Sequence, residues 1–396
     1  MSHANRDAPA RVEKSVAPIT SQERESRILE ARKRMEAQGL DAILLEPGSN
    51  LYYFTGIRWE QTDRTMLAVI PARGPIGYIC PRFEEARLRE QMLFGEDVRV
   101  WEEHENPYHE VAGLLRDRRL ERAKLGVEQT LRFFVYDGIR GAVPHAALTP
   151  ADSVTIPCRS NKSEAEIALL QHAADLTVEA FKVCIAQLYE GMSREEFIDN
   201  TVTAHKKLGV AGSIDVQFGP GTSFPHGSTQ FTHLRENDVV LMDGGCTVEG
   251  YHSDMTRTLV FGEPTKRQRE IWSLEQEAQA AAFHAARLGA PIEEIDAAAR
   301  RVIVAAGLGP GYETPGLPHR TGHGIGLDIH EDPYIVQGNR SPLAPGMCFS
   351  NEPMIVIPGE FGVRLEDCLY ITEDGGRYFT DPSPSIDVPF ADEPHA

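Results

Sequence analysis

Between Gly316 and Asp367 the chain repeatedly places histidines and carboxylates inside short apolar runs. The stretch holds Gly-Leu-Pro-His319-Arg-Thr-Gly-His323-Gly, then His330-Glu331, Asn-Glu352-Pro and Arg364-Leu-Glu366-Asp. A sequence that only had to fold would put Val, Leu or Ile at such positions. Burying unpaired charge costs several kcal/mol, so these groups need compensation. Metal ions are the compensation this set of side chains best matches.

Two further carboxylates precede that stretch, in Val-Val-Leu-Met-Asp243-Gly-Gly and Ser-Asp254-Met-Thr-Arg-Thr. Glu249-Gly250 between them reads as a turn, which makes the segments the arms of a hairpin whose facing side chains share one side. A turn centred on Val248–Glu249 sets Asp243 and Asp254 face to face. Facing carboxylates repel unless protonated or bridged by a cation. Taken singly, each is better read as a turn, capping or surface aspartate. A surface ion pair would likewise account for Arg364 and Glu366, two apart on one strand face. It leaves Glu352, within Phe-Ser-Asn-Glu-Pro-Met-Ile-Val-Ile, unexplained. His323 stands between glycines, which let backbones approach and a ring project. Four carboxylates and one imidazole form a hard donor set, suited to two divalent ions such as manganese, cobalt, iron or zinc. Water held between two such ions is acidified enough to act as hydroxide near neutral pH.

The motifs Met-Asp243-Gly-Gly, Asp254 eleven residues on, His-Gly-Ile-Gly-Leu-Asp-Ile-His-Glu, Asn-Glu352-Pro and Gly-Val-Arg-Leu-Glu366-Asp together resemble the pita-bread-fold metallopeptidases. The likeness is to bacterial Xaa-Pro dipeptidases (prolidases) and aminopeptidase P. It extends to the amino-terminal part, where Asn50-Leu-Tyr-Tyr-Phe-Thr-Gly56 looks like that family's signature. The resemblance implies that Asp243, Asp254, His323, Glu352 and Glu366 hold two divalent metal ions, manganese foremost, with zinc, cobalt or iron as alternatives. Asp254 and Glu366 would bridge both ions. Glu352 would also be the general base, passing the proton of the bridging water to the leaving proline nitrogen. His226, His319 and His330 would handle substrate, with His330 stabilising the tetrahedral oxyanion. Arg364 would orient carboxylates or the substrate end, and Arg340 and Trp59 are further candidates for substrate contact. Tyr251 and Arg257 would support the hairpin. The implied partners are a small peptide with proline at its second position and a second copy of the chain, as a homodimer.

These side chains need a scaffold. Thr20 and Glu23 have capping-box spacing, and the helix they open runs to Gly39. Strand-like runs follow at Ala42–Leu45, Met66–Ile70, Ile76–Cys80 and Val98–Trp101, with an amphipathic helix near Phe83–Leu93. This alternation implies a compact α/β domain over residues 21–155, after a flexible N-terminus at 1–20. The aromatic stretch Gly48–Gly56 reads as a loop at a strand edge packing on the core. The interval Thr149–Lys162, with Pro150 and Pro157, marks the domain boundary. From Ser163 a long helix runs to about Tyr189, a second runs from Ser193 to Gly209, and strands follow at Ser213–Phe218 and Val239–Val260. Helices at Lys266–Arg287 and Ile292–Ala306, then strands to Thr372, repeat that order. The fold class is therefore α+β: an internally duplicated pita-bread catalytic domain over residues 156–380, with helices on one face of an antiparallel sheet. A loosely ordered Pro- and Asp-rich tail, 381–396, closes the chain.

The totals agree with such an enzyme. The 396 residues suffice for two domains, and 41% hydrophobic with 25% charged residues is ordinary for a globular protein. A formal net charge of −19 argues against nucleic-acid or anionic-membrane partners. Six scattered cysteines without CxxC pairs read as reduced, buried residues. Residues 1–20 lack an apolar secretory core and no run is long enough to span a membrane, so a cytoplasmic location is expected. The expected reaction is hydrolysis of Xaa-Pro dipeptides. Aminopeptidase P activity on longer peptides, another hydrolase or lyase on the same fold, and a non-catalytic binding protein are the alternatives.

Overall fold

The computed structural model describes residues 16–230 and 232–391. The expected flexible N-terminus at residues 1–15 and the tail at 392–396 lie outside the described residues. The chain forms two compact units, Ile19–Arg159 and one that begins at Ser160.

The amino-terminal unit opens with α1 (Ser21–Gln38), where Thr20 Oγ1 accepts the Glu23 amide and Gly39 ends the helix at φ 64°. Its strands are β1 (Ala42–Leu45), β2 (Leu67–Pro71), β3 (Gly77–Pro81), β4 (Asp97–Trp101), β5 (Lys124–Val127) and β6 (Ala147–Pro150). They form one sheet in the order β4-β3-β2-β1-β5-β6. The β3–β4, β1–β5 and β5–β6 pairs are parallel and the others antiparallel. Parallel neighbours require crossovers, which the helices among α2 (Ser49–Thr55), α3 (Glu85–Gln91), α4 (Pro107–Asp117) and α5 (Phe133–Ala142) supply.

One expectation here is corrected. The aromatic stretch is not a loop: Ser49–Thr55 is the helix α2, with Leu51, Tyr53 and Phe54 buried. Arg24 and Arg27 of α1 donate to the Tyr53 carbonyl at 3.1 and 3.2 Å, satisfying a carbonyl that the helix end leaves free. The Pro-containing interval at 149–162 holds the end of β6 and α6 (Asp152–Ser160), with Pro157 inside the helix.

The second unit repeats one order of elements. Helices α7 (Glu164–Ile185) and α8 (Arg194–Lys207) lead into β7 (Ala211–Phe218), β8 (Val239–Val248), β9 (Tyr251–His252) and β10 (Met255–Val260). Helices α9 (Lys266–Ala285) and α10 (Glu293–Ala305) lead into β11 (Gly322–Gly324), β12 (Glu331–Ile335), β13 (Cys348–Asn351), β14 (Met354–Ile357), β15 (Phe361–Arg364), β16 (Glu366–Thr372) and β17 (Gly375–Tyr378). Ser163 and Glu166 close a full capping box at α7, as the spacing predicts. The antiparallel sheet runs β12-β11-β13-β16-β10-β8-β7, so the halves meet where β10 pairs with β16. This is the pita-bread arrangement, with one half on either side of that seam.

The chain after Thr380 is ordered up to the last described residue. Arg257 donates to the Asp381 carbonyl, Gln276 to that of Ser383, and the Arg257 guanidinium lies over the Phe390 ring. The expectation of a loose tail does not hold for residues 381–391, because Ile386 is buried in the core there. All six cysteines are buried and unpaired. Among the described residues no helix is long and apolar enough to cross a membrane.

Candidate active site

The site grows from the register of the seam. Glu249 and Gly250, at φ 51° and 86°, are the two turn residues of the β8–β9 hairpin. That turn sets Asp243 opposite Thr256 on β10, and Thr256 in turn opposite Glu366 on β16. The expected face-to-face pairing of Asp243 with Asp254 is thus corrected. Asp254 lies two residues before Thr256, diagonal to Asp243 on the same side, because the turn centres one residue later than the facing arrangement requires. Asn351 pairs with Asp367, so Glu352, the next residue, continues the row towards Glu366. Four carboxylates therefore reach the site, Asp243 and Glu366 from β8 and β16, Asp254 from just before β10 and Glu352 from just after β13.

His323 arrives from β11. Its glycine flanks are needed for packing: a Cβ at Gly322 would lie 2.0 Å from the Ser350 carbonyl oxygen, and one at Gly324 2.4 Å from that of Asp332. The imidazole Nδ1 lies 3.1 Å from the Gly324 carbonyl oxygen, where Nδ1–H donates. Nε2 then faces the carboxylates, 3.1 Å from Glu352 Oε1 and 3.6 Å from Asp254 Oδ2. Ligand atoms of Asp254, His323 and Glu366 all lie within 4.8 Å of one another.

Arg364 and Thr256 lock this set. Arg364 pairs with Asp243 through Nη2, donates through Nε to Thr256 Oγ1 at 3.1 Å, and through Nη1 to the Pro225 carbonyl at 3.0 Å. Thr256 Oγ1 lies 2.6 Å from Glu366 Oε2 and 3.1 Å from Asp243 Oδ1. A hydroxyl has one proton to give, and the shorter contact marks Glu366 as its acceptor.

Charge is left uncompensated. Burial, then the charges of Asp254, Glu352 and Asp243, push the Glu366 carboxyl well above the ordinary range. Burial and the Asp243 charge likewise raise Asp254. Burial also acts against the ionised form of Glu352, but the His323 hydrogen bond and charge outweigh it and hold this carboxyl low. His323 is correspondingly raised: burial lowers it, but Glu352 and Asp254 prevail. Glu366 Oε1 is buried without a hydrogen-bond partner. Crowded buried carboxylates, an orphaned carboxylate oxygen and an inward-facing imidazole nitrogen are what divalent cations satisfy.

The other histidines surround the cluster. The His330 ring centroid lies 4.1 Å from that of His323. His319 donates Nδ1–H to the Arg320 carbonyl at 2.7 Å, and its buried Nε2 has no protein partner. Burial lowers both His319 and His330, favouring neutral rings. His226, exposed, follows Pro225, whose carbonyl Arg364 holds. Arg340 is not part of the cluster: its side chain is 83% exposed and pairs with Glu293. Trp59 belongs to the amino-terminal unit, with the Arg87 guanidinium over its ring. Tyr251 bonds Glu166 at 2.8 Å, and Arg257 pairs with Asp367 at 2.6 Å. Sequence reasoning missed Thr256 and Ser350, which lies 3.0 Å from Glu352 Oε1. Each is two residues from a proposed ligand, so strand alternation was the available signal.

Comparisons with known proteins agree with this geometry. Residues 168–373 match the model of metallopeptidase family M24, and residues 27–160 that of the creatinase/prolidase N-terminal domain. The probable dipeptidase PepE of Mycobacterium tuberculosis is 37% identical over 343 residues, 85% of this chain and 89% of the relative. The crystal structure of dipeptidase PepE from Mycobacterium ulcerans aligns with TM-score 0.86 and 32% identity, covering 95% of this chain and all of that one. A prolidase from Thermococcus sibiricus aligns with TM-score 0.83 and 33% identity, over 90% and 96% of the two chains. The buried carboxylate–histidine cluster, the duplicated fold around it and these likenesses coincide: the chain belongs to metallopeptidase family M24 and carries a creatinase/prolidase N-terminal domain.

Proposed function

We propose that this M24 metallopeptidase is a dipeptidase that cleaves the bond between a first residue and proline. The observation that carries the proposal is the convergence of Asp254, His323 and Glu366 within 4.8 Å, with Glu352 hydrogen-bonded to His323. Relatives named dipeptidase and prolidase, at 32–37% identity over most of both chains, support the substrate class.

Asp243, Asp254, His323, Glu352 and Glu366 would hold two divalent ions, with manganese the first choice for so oxygen-rich a donor set. Such ions, when bound, acidify water and polarise the scissile carbonyl. Glu352 is the general base: it takes a proton from the attacking water and delivers it to the proline nitrogen, which carries no hydrogen of its own in the bond. The His323 contact favours its ionised form, and Ser350 Oγ, 3.0 Å away, orients it. His330, His319 and His226 bind and orient the peptide: the neutral His330 ring donates towards an oxyanion, whereas His319, its Nδ1–H held by the Arg320 carbonyl, presents Nε2 as an acceptor. Arg364 holds Asp243 in place through their ion pair. Six buried, unpaired cysteines are in keeping with a reducing, cytoplasmic setting, and a homodimer is the expected assembly.

The test is hydrolysis of Ala-Pro beside Ala-Pro-Ala with added manganese, together with metal content. The proposal expects turnover of the dipeptide with two ions per chain. Turnover of the tripeptide alone would make the protein an aminopeptidase P instead.

A further inference from the structure

Outside the metal cluster, one buried ion pair on α10 reaches towards the site through the backbone. Asp296 and Arg300 lie one turn apart on α10, with side chains 1% and 13% exposed and Asp296 Oδ2 2.9 Å from Arg300 Nε. Such a spacing is common on helices, and by itself would be ordinary packing. The remaining donors of Arg300 make it unusual. Nη1 donates to the carbonyls of Gly311 and Leu317, at 2.5 and 3.0 Å. Nη2 donates to the carbonyl of His319 at 2.5 Å. The guanidinium also lies 4.3 Å from the centre of the Tyr312 ring.

One planar fork therefore gathers three carbonyls of the irregular segment between α10 and β11, a geometry that lysine cannot reproduce. The other oxygen of Asp296, Oδ1, accepts the Thr321 hydroxyl at 2.8 Å. Thr321 is fully buried, and its carbonyl accepts the amide of Glu352 at 2.8 Å. The pair thus holds the backbone of His319 on one side and, through Thr321, that of Glu352 on the other. The Nε2 of His319 is buried without a protein partner.

We infer that Asp296 and Arg300 are positioning residues that set His319, and through Thr321 the general base, for catalysis. This rests on reading His319 as a substrate-handling residue. Among the described residues no hydrogen bond or ion pair joins Arg300 to the side chain of a proposed metal ligand, and a lysine at 300 keeps a cation beside Asp296 and its Thr321 branch, so metal binding need not change when the fork on the His319 carbonyl is lost. Displacing a reacting or binding group by about 1 Å can cost about a hundredfold in rate.

The test is a double-mutant cycle between Arg300→Lys and His319→Ala on the metal-loaded, full-length enzyme, with Ala-Pro as substrate. Manganese affinity by calorimetry and thermal melting are measured alongside. Arg300→Lys is expected to lower kcat/KM by about ten- to a hundredfold, with manganese affinity within about twofold of the parent. In the His319→Ala background the same change is expected to lose most of its effect, since coupled residues are not additive. Equal losses in both backgrounds, or full activity in Arg300→Lys, would overturn the inference. Thr321→Val removes only the hydroxyl bond to Asp296, on the Glu352 branch; if Arg300→Lys does not fold it is measured instead, with a loss of kcat/KM at unchanged melting expected and full activity overturning the inference. A parent enzyme inactive on Ala-Pro but active on Ala-Pro-Ala refutes the dipeptidase reading alone, and the cycle is then run on the tripeptide.

Discussion

Asp243 and Arg364 form an ion pair that joins the two halves of the catalytic unit, since Asp243 sits on β8 and Arg364 ends β15. Through Thr256 the same arginine reaches Glu366, so one cation serves carboxylates from both halves. Arg364→Met should therefore destabilise the metal-free protein. The loss expected is about 2–3 kcal/mol, below that of a fully buried pair, because the Asp243 side chain is 37% exposed. Urea unfolding in chelator measures it. Saturating manganese should shrink the difference, because bound cations replace the missing charge.

The raised carboxyls give a pH dependence of defined sign. In the folded, metal-free protein Asp254 and Glu366 bind protons more tightly than in the unfolded chain, and His323 does so as well. Glu128, in the amino-terminal unit, is pushed to about 7 by burial. A folded state that holds more protons loses stability as pH rises. Glu352 has the opposite sign, but its contribution changes only as pH falls below the ordinary carboxylate range. The lowered His319 and His330 act as pH falls below about 6.5. Stability of the stripped protein should consequently fall between about pH 6.5 and 8.5. Urea midpoints across that range check this, and manganese should flatten the slope.

Glu352→Ala should fold and yet lose turnover. A general base typically contributes about a hundred- to ten-thousandfold, and Glu352 is a proposed metal ligand too, so kcat should fall by at least about a hundredfold. Circular dichroism reads the fold and peptide hydrolysis the activity. Retained turnover would remove its assigned role.

Lys162 and Glu331 form another buried pair, with Nζ 2.5 Å from Oε1, and Glu331 directly follows His330. Lys162→Met takes away the cation beside a buried carboxylate and should cost about 3 kcal/mol. Urea unfolding measures it. A second change, Glu331→Gln, should recover part of the loss because no unpaired carboxylate is then buried, whereas lost packing alone would not be recovered.

Much of the site could be read from the chain. Asp243, Glu352 and Glu366 interrupt apolar runs, and a buried charge there has few explanations. His323 between glycines is legible for a similar reason, since glycine spacing reports close backbone approach. The helices of the catalytic unit were marked by their caps, Ser163 with Glu166 and Ser193 with Glu196. The aromatic run at Ser49–Thr55 failed as a reading because its helix ends on arginines contributed by α1, which no local pattern announces.

The sequence by itself determined which residues must be compensated, and in what order the duplicated halves present them. Residue type and strand period are local properties, and they survive without the fold. Only the tertiary structure decided how the groups share protons and charge. It set Asp243 opposite Thr256 rather than Asp254, because one residue in the placement of a turn moves every pairing along a hairpin. It also brought Arg364 to Asp243, and Arg300 to the carbonyl of His319. Those contacts join segments that are separate in the chain, and depend on how helices and strands pack.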